Sequence, residues 1–352
     1  MQKTIETIRG NGDGVAYEFP VFRIAGSAPD APNAYIQAAL HSDELPGVVA
    51  VDALMPKLRK AEAEGRVRGN LTIVPRANPV GRAQQFFGAT QGRFHLGTRT
   101  NFNRDFPLID RPDAILLPGD DTPLNADEQL KARLIKLSLG HEIVLDLHCD
   151  DEGLPYLYIQ SDLWPAMADC AACMGVDAVV LWSDASGASF DEAALRPYLK
   201  LPAGEAKLER RVVTTVEYRG ILDVEAGHAE ADAEGLYRLL VARGVIEDKS
   251  VETPKAFKGE VAPIDHIEMM PAPAAGAIVY DVKPGDRVKA GQRLATIVAA
   301  PGEEGGRVEV LAPQDGFILT RRATRSIRAG EDLVKLVGVA RSADARSGAL
   351  ED

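Results

Sequence analysis

Two histidines and a glutamate stand where the chain could bring them to one point. An apolar run from Ala34 to Leu40 delivers His41, and Glu44 follows three residues later in the stretch AALHSDELPG. A second apolar run, IVLDLHCD at 143 to 150, delivers His148. Two imidazoles and one carboxylate are the ligand set of a catalytic zinc that keeps one position open for water. The first expectation is therefore a metal-dependent hydrolase, with His41, Glu44 and His148 holding one zinc per chain. Position strengthens it, because ligands in open α/β sheets gather outside the carboxyl ends of strands and both histidines end apolar strands. Asp146 lies two residues before His148, on the same side of the strand, where a carboxylate could orient a ligating imidazole. A plainer reading exists for each residue. His41 could cap a strand end, Glu44 could be a first-turn acid favoured by the following helix dipole, and Asp146 could form a salt bridge in the core.

The elements that must position these groups can be read in order. Residues 1–33 read as an entry hairpin around NGDG. A buried strand follows at 34–40, then a helix from Gly47 to about Glu64, with Val48, Val51, Leu54, Met55 and Leu58 at three- and four-residue steps. Pro56 predicts a kink or a restart in that helix. After a strand at 70–75 comes a long stretch with no firm period, running to Pro107 and gathering Arg82, Arg93, Arg99 and Arg104. Ordered loops of that length usually carry function. Further on, a helix is expected at about 125–139, strands at 142–147 and 157–160, a helix at about 163–174 and a strand at 178–181. Residues 183–210 read as a loop with one or two helical turns, 212–217 as a strand and 231–241 as a final helix. Strands alternating with helices imply a mixed central sheet flanked by helices on both faces.

The totals agree with a large domain and a smaller companion. At 352 residues the chain exceeds one ordinary core, and the expected division is a catalytic domain at 1–250 and a small all-β domain at 260–340. In the latter, APAAGAIVYDVKPGDRVKAGQRLATI at 272–297 recurs as APQDGFILTRRATRSIRAGEDLVKL at 312–336, a pseudo-repeat with a shift of about 40 residues. These halves resemble the barrel-sandwich fold of biotinyl and lipoyl domains, but EEGGRVEV at 303–310 has no lysine to modify. The formal charge of −12 argues against nucleic-acid or anionic-membrane binding. No apolar stretch is long enough to span a bilayer, and MQKTIETIRGNGDG lacks the apolar segment of a signal peptide, so a cytoplasmic protein is expected. Cys170 and Cys173 have the spacing of half a zinc site, yet no second pair exists and their apolar surroundings read as a core helix.

Taken together, five segments resemble the succinylglutamate desuccinylase and aspartoacylase family, a branch of the zinc carboxypeptidase-like hydrolases. HSDE at 41–44 resembles the family's HG(D/N)E, with Ser42 in place of glycine. NPVG at 78–81 is similar to its NPxA segment, NFNR at 101–104 to its (D/N)LNR segment, and DLHCD at 146–150 to its DLH segment. TTVEYRG at 214–220 resembles the strand that bears the catalytic acid. The resemblance covers about residues 34 to 220, in the family's order, with the small β domain following as it does there. It implies zinc on His41, Glu44 and His148, and proton transfer by Glu217. It also implies an oxyanion-stabilising arginine, best matched by Arg93 with Arg82 as the alternative, and substrate binding by Asn78, Asn103 and Arg104. The implied substrate is a small N-acyl amino acid, or related acyl amide, with a free carboxylate. Two other functions stay open: a metallocarboxypeptidase acting on short peptides, and a non-enzymatic binding or scaffold protein that docks through its β domain. A homo-oligomer is also left open. For Glu217 the plainer reading is a pair with Arg219 or Arg211, with Glu225 as a rival acid. For Arg104 it is a surface pair with Asp105.

Overall fold

The expected entry hairpin is β1 (Gln2–Arg9) and β2 (Ala16–Ile24), paired antiparallel at one edge of the main sheet. The computed structural model describes residues 1–119, 121–183, 187–345 and 350. Among these, the main sheet also contains β3 (Ala34–Ala38), β4 (Leu71–Val74), β5 (Ile143–Asp150), β6 (Tyr156–Gln160), β7 (Ala178–Trp182), β8 (Val212–Gly220) and β9 (Glu260–Pro263). Their order across the sheet is β1-β2-β4-β3-β5-β8-β6-β7-β9. β4, β3, β5 and β8 run parallel in the middle, while β2 on one side and β6 on the other are antiparallel to them. Residues 143–149 are all buried, as a central parallel strand covered on both faces requires.

Three elements differ from expectation. The helix Pro46–Ala63 does not restart at Pro56. Pro56 and Asp52, whose carbonyl it leaves without a donor, are both exposed, so water can satisfy that carbonyl. Residues 183–210, of which 184–186 lie outside the described residues, contain a full helix at Phe190–Leu199. Small residues and Pro197 disguise it in the sequence, but Phe190, Leu195 and Tyr198 are buried and Asp191 and Glu192 occupy its first turn. The last large helix starts at Ala226, ahead of the expected 231, with exposed Glu225 at its N-cap. Cys170 and Cys173 are buried in the helix Ala168–Met174, as expected.

The carboxy-terminal unit is all-β, and its two halves interlock. Strands Gly276–Tyr280, Arg287–Val288 and Arg293–Val298 recur as Gly316–Arg321, Ser326–Ile327 and Asp332–Gly338. In each half the short strand pairs with the long first strand of the other: Ser326–Ile327 with Gly276–Ala277, and Arg287–Val288 with Gly316–Phe317. This reciprocal exchange gives two small sheets around one core, which includes Ile278, Leu294, Ile297, Ile318 and Leu336. Residue 260, the expected start of this unit, falls on β9, an edge strand of the main sheet. The unit's own strands begin at Ile267.

Candidate functional site

The site is built at the carboxyl ends of β3, β5 and β8. β3 stops at Ala38, and Ala39 turns the chain with a φ of 56°, a left-handed conformation that a side chain adopts only where its surroundings impose it. His41 follows, and the Pro46–Ala63 helix then packs so closely that a Cβ on Gly47 would come within 2.7 Å of Leu147 Cβ. That approach sets Glu44 between the two histidines. Its Oε1 is 2.7 Å from His41 Nδ1 and its Oε2 is 2.8 Å from His148 Nδ1, while Cys149 N–H donates to Oε2 at 3.2 Å. All three side chains are buried, and their ligating atoms lie within 4.8 Å of one another.

The other nitrogen of each ring is already committed. His41 Nε2 faces Asn101 Oδ1 at 2.8 Å, and Asn103 N–H donates to that same oxygen at 2.7 Å, which fixes it as an acceptor. His148 Nε2 faces Asp146 Oδ2 at 2.9 Å, and Asp146 is held through Oδ1 by Gln37 Nε2, also at 2.9 Å. Both rings are therefore protonated at Nε2, yet both meet a carboxylate at Nδ1. With Glu44 ionised and no cation there, a hydrogen bond from each Nδ1 to the carboxylate would need two imidazolium rings, whose centroids stand only 4.8 Å apart. Burial pushes the His41 pKa down, against the pull of Glu44. Burial also acts on His148, but Asp146 and Glu44 together hold it well above the ordinary value. Burial would raise Glu44, yet the two histidines keep it well below the usual carboxylate range. One cation at the meeting point would remove the conflict, standing in for both Nδ1 protons with its charge neutralised in part by Glu44. The residues present fit zinc, which takes this nitrogen and oxygen donor set.

Glu217 stands opposite His148 in the β5–β8 register, and its Oε2 is enclosed without a hydrogen-bond partner among the described residues. Burial pushes its carboxyl up to about 8, opposed by His148 and reinforced by Glu44 and Asp150. Neither arginine of the plainer reading takes it. Arg219 binds Asp232, and Arg211 stacks on Tyr198 with 3.3 Å to the ring centre. Arg93 Nη1 lies 3.4 Å from His41 Nδ1 and 3.7 Å from Glu44 Oε1, whereas Arg82 faces a separate groove. Asn103 and Arg104 line the same cavity as the cluster and Glu217. Asn103 Oδ1 accepts from Phe190 N–H at 2.8 Å, so the helix concealed in the sequence is what steadies it.

Asn78 is placed outside the lining of this cavity: its amide donates to Leu40 O at 2.8 Å and accepts from Gly81 N–H at 2.7 Å, and its backbone carbonyl takes the Ser42 hydroxyl at 3.1 Å. It braces the turn on both sides of His41. Sequence reasoning missed Asn101, Gln37 and Lys335. The first two had faint signals, as the opening residue of NFNR and as a polar residue inside an apolar strand. Lys335 had none, because it reaches the cavity from the carboxy-terminal unit.

A mixed sheet with a buried two-histidine, one-carboxylate cluster at its parallel strand ends, and a β unit against it, defines the class. Residues 30–239 match the family model described as Succinylglutamate desuccinylase/Aspartoacylase catalytic domain. The chain belongs to the succinylglutamate desuccinylase/aspartoacylase family, whose members are deacylating hydrolases. No curated protein matches the sequence. Among solved structures, a succinylglutamate desuccinylase/aspartoacylase family protein from Shewanella amazonensis SB2B is 25% identical with a TM-score of 0.83, covering 96% of this chain and 98% of that one. One from Shewanella frigidimarina NCIMB 400 is 24% identical with a TM-score of 0.82, covering 96% and 97%. The product-bound Ectoine utilization protein EutE from Ruegeria pomeroyi is 20% identical with a TM-score of 0.70, covering 96% and 95%, and shares the fold.

Proposed function

We propose that this protein is a zinc-dependent deacylase that hydrolyses the amide bond of a small N-acyl amino acid, or related N-acyl amine, to a carboxylate and a free amine. The observation that carries the reading is the pair of imidazoles, each pinned at Nε2 and each aimed at Glu44 through Nδ1. His41, Glu44 and His148 would hold the zinc, which would supply the Lewis acidity that polarises an amide carbonyl and acidifies water.

The chain's own groups do the rest. Glu217 takes a proton from the attacking water as its oxygen bonds to the carbonyl carbon. It then returns that proton to the nitrogen as the C–N bond breaks. A carboxylate whose Oε2 is enclosed with no competing hydrogen bond among the described residues suits both halves of that transfer. Arg93 stabilises the negative charge that develops on the carbonyl oxygen. Arg104, with Asn103 beside it, grips the substrate's carboxylate through its fork of donors. The cavity volume of about 110 Å³ is room for roughly four waters at about 30 Å³ each. Ile264, Lys335 and Leu350 wall it from the carboxy-terminal side. A pocket of that size favours a small acyl amino acid over an extended peptide. No helix among the described residues is long and apolar enough to cross a membrane. Three buried free cysteines support a reducing, cytoplasmic setting for the reaction.

The test is metal analysis followed by a screen of N-acyl amino acids against short peptides, with wild type and Glu217→Gln in parallel. Turnover of N-acyl amino acids by metal-loaded wild type alone supports the reading. Cleavage of peptides in preference would move the protein to the carboxypeptidases.

A further inference from the structure

The strand that carries His148 ends at Asp150 in the main sheet, but the chain leaving it passes directly to the carboxy-terminal unit. Beyond Asp150, residues Glu152–Gly153 pair with the carboxy-terminal unit's strand Gly316–Arg321, Gly153 against Thr320 and Glu152 against Arg321. Leu154 N–H then donates to Leu319 O at 3.1 Å. Arg321 and Arg325 both bind the Glu152 carboxylate, the latter at 2.7 Å. The β unit thus grips the chain within a few residues of a proposed metal ligand.

The deepest contact is Lys335. Its Nζ makes an ion pair with Asp150 Oδ2, and the two side chains are only 6% and 8% exposed. Tyr156 joins them, its hydroxyl donating to Asp150 Oδ2 at 2.8 Å and lying 3.4 Å from Nζ. A buried lysine–aspartate pair is a poor source of stability, because desolvating both charges offsets their attraction; apolar residues of similar volume usually do as well. Its use here is better sought in position. Asp146, His148 and Asp150 are spaced by two along one strand and share a face. Asp146 is held by Gln37 of the catalytic sheet, and Asp150 by Lys335 of the β unit. His148 lies between these two anchors.

We propose that Lys335 is a positioning residue for the metal centre. By tying Asp150 down it fixes the carboxyl end of β5, so that the β unit, docked on the catalytic sheet, sets the affinity of the His41, Glu44 and His148 site. This rests on the zinc reading above. By linkage the effect is reciprocal, and an ion in the site tightens the seam between the two units.

The test is zinc affinity by chelator competition on the full chain. The informative variant is the double substitution Asp150→Asn with Lys335→Met, which removes both charges together. Lys335→Met alone would leave Asp150 uncompensated beside the site and attract a cation for a trivial reason. The double variant is expected to bind zinc at least about tenfold more weakly, as loss of outer supporting contacts does. Arg293→Ala, which cuts an exposed ion pair elsewhere in the β unit, should leave the affinity unchanged. A double variant within about twofold of wild type overturns the proposal while leaving the zinc reading intact. A wild type that takes up no zinc removes both. Should the double variant not fold, hydrogen exchange on wild type decides: zinc must slow exchange in strands Gly316–Arg321 and Asp332–Gly338, and unchanged exchange there refutes the coupling.

Discussion

Asp146→Asn removes one oxygen acceptor from the buried chain that ends on the metal ligands. In the native protein Oδ1 accepts from Gln37 Nε2 and Oδ2 faces His148 Nε2, both at 2.9 Å. Asparagine keeps one acceptor and replaces the other with a donor, so either Gln37 or His148 meets an N–H across a fully buried contact. Leaving a buried donor unsatisfied costs about 1–3 kcal/mol. If His148 turns to escape the clash, that cost falls on metal binding and corresponds to a loss of roughly 5- to 150-fold in affinity. If Gln37 turns instead, the cost falls on folding, and the melting temperature drops while affinity holds. Chelator competition and thermal melting, each with and without zinc, separate the two outcomes. Wild-type affinity together with wild-type melting temperature would refute the assignment of Asp146 as the support of His148.

Three further outcomes follow from the same geometry. Glu217→Gln should retain zinc but lose about 10²- to 10⁴-fold in turnover, the usual contribution of a positioned acid–base group; near-normal turnover in a metal-replete sample contradicts the role. Arg93→Met should cut turnover by about 10²- to 10³-fold with metal retained, while Arg82→Met changes little, and steady-state kinetics on the pair decides between them. A pH effect on stability is expected as well. Burial raises the Glu217 carboxyl from an ordinary 4.5 to about 8 in the folded chain, so between those values the folded state holds a proton that the unfolded state has released. That contribution is fully present below the lower value and is lost as pH rises through the upper one. Melting of zinc-free protein across that window should therefore fall more steeply with pH for wild type than for Glu217→Gln; equal slopes count against the raised carboxyl.

How much of this was legible in the sequence depended on how local the determinant was. Two central strands announced themselves as apolar runs broken only by Gln37 and Asp146, with His41 just past the end of one and His148 near the end of the other. The family-type motifs led to Glu217 and to Arg93, which the fold brings to the same cavity. The repeat of Ala272, Pro273 and Gly276 at Ala312, Pro313 and Gly316 foretold two similar halves, although their exchange of short strands has no sequence signal. The helix Phe190–Leu199 was obscured because Gly187, Ala188 and Pro197 read as loop, while tertiary burial of Phe190, Leu195 and Tyr198 decides otherwise. The short motif around Asn78 carries no signal for the backbone bonds its amide makes around His41. Lys335 was beyond reach, since nothing local marks a lysine in a β strand as the partner of Asp150.

The claim that three side chains from distant parts of the chain share one cation is tested most directly by zinc stoichiometry. Equilibrium dialysis of the metal-stripped protein should return one zinc per chain for wild type and none held tightly by His148→Ala, with circular dichroism showing both folded. Zinc retained at the same stoichiometry and affinity after loss of His148, or none bound by wild type, would contradict it.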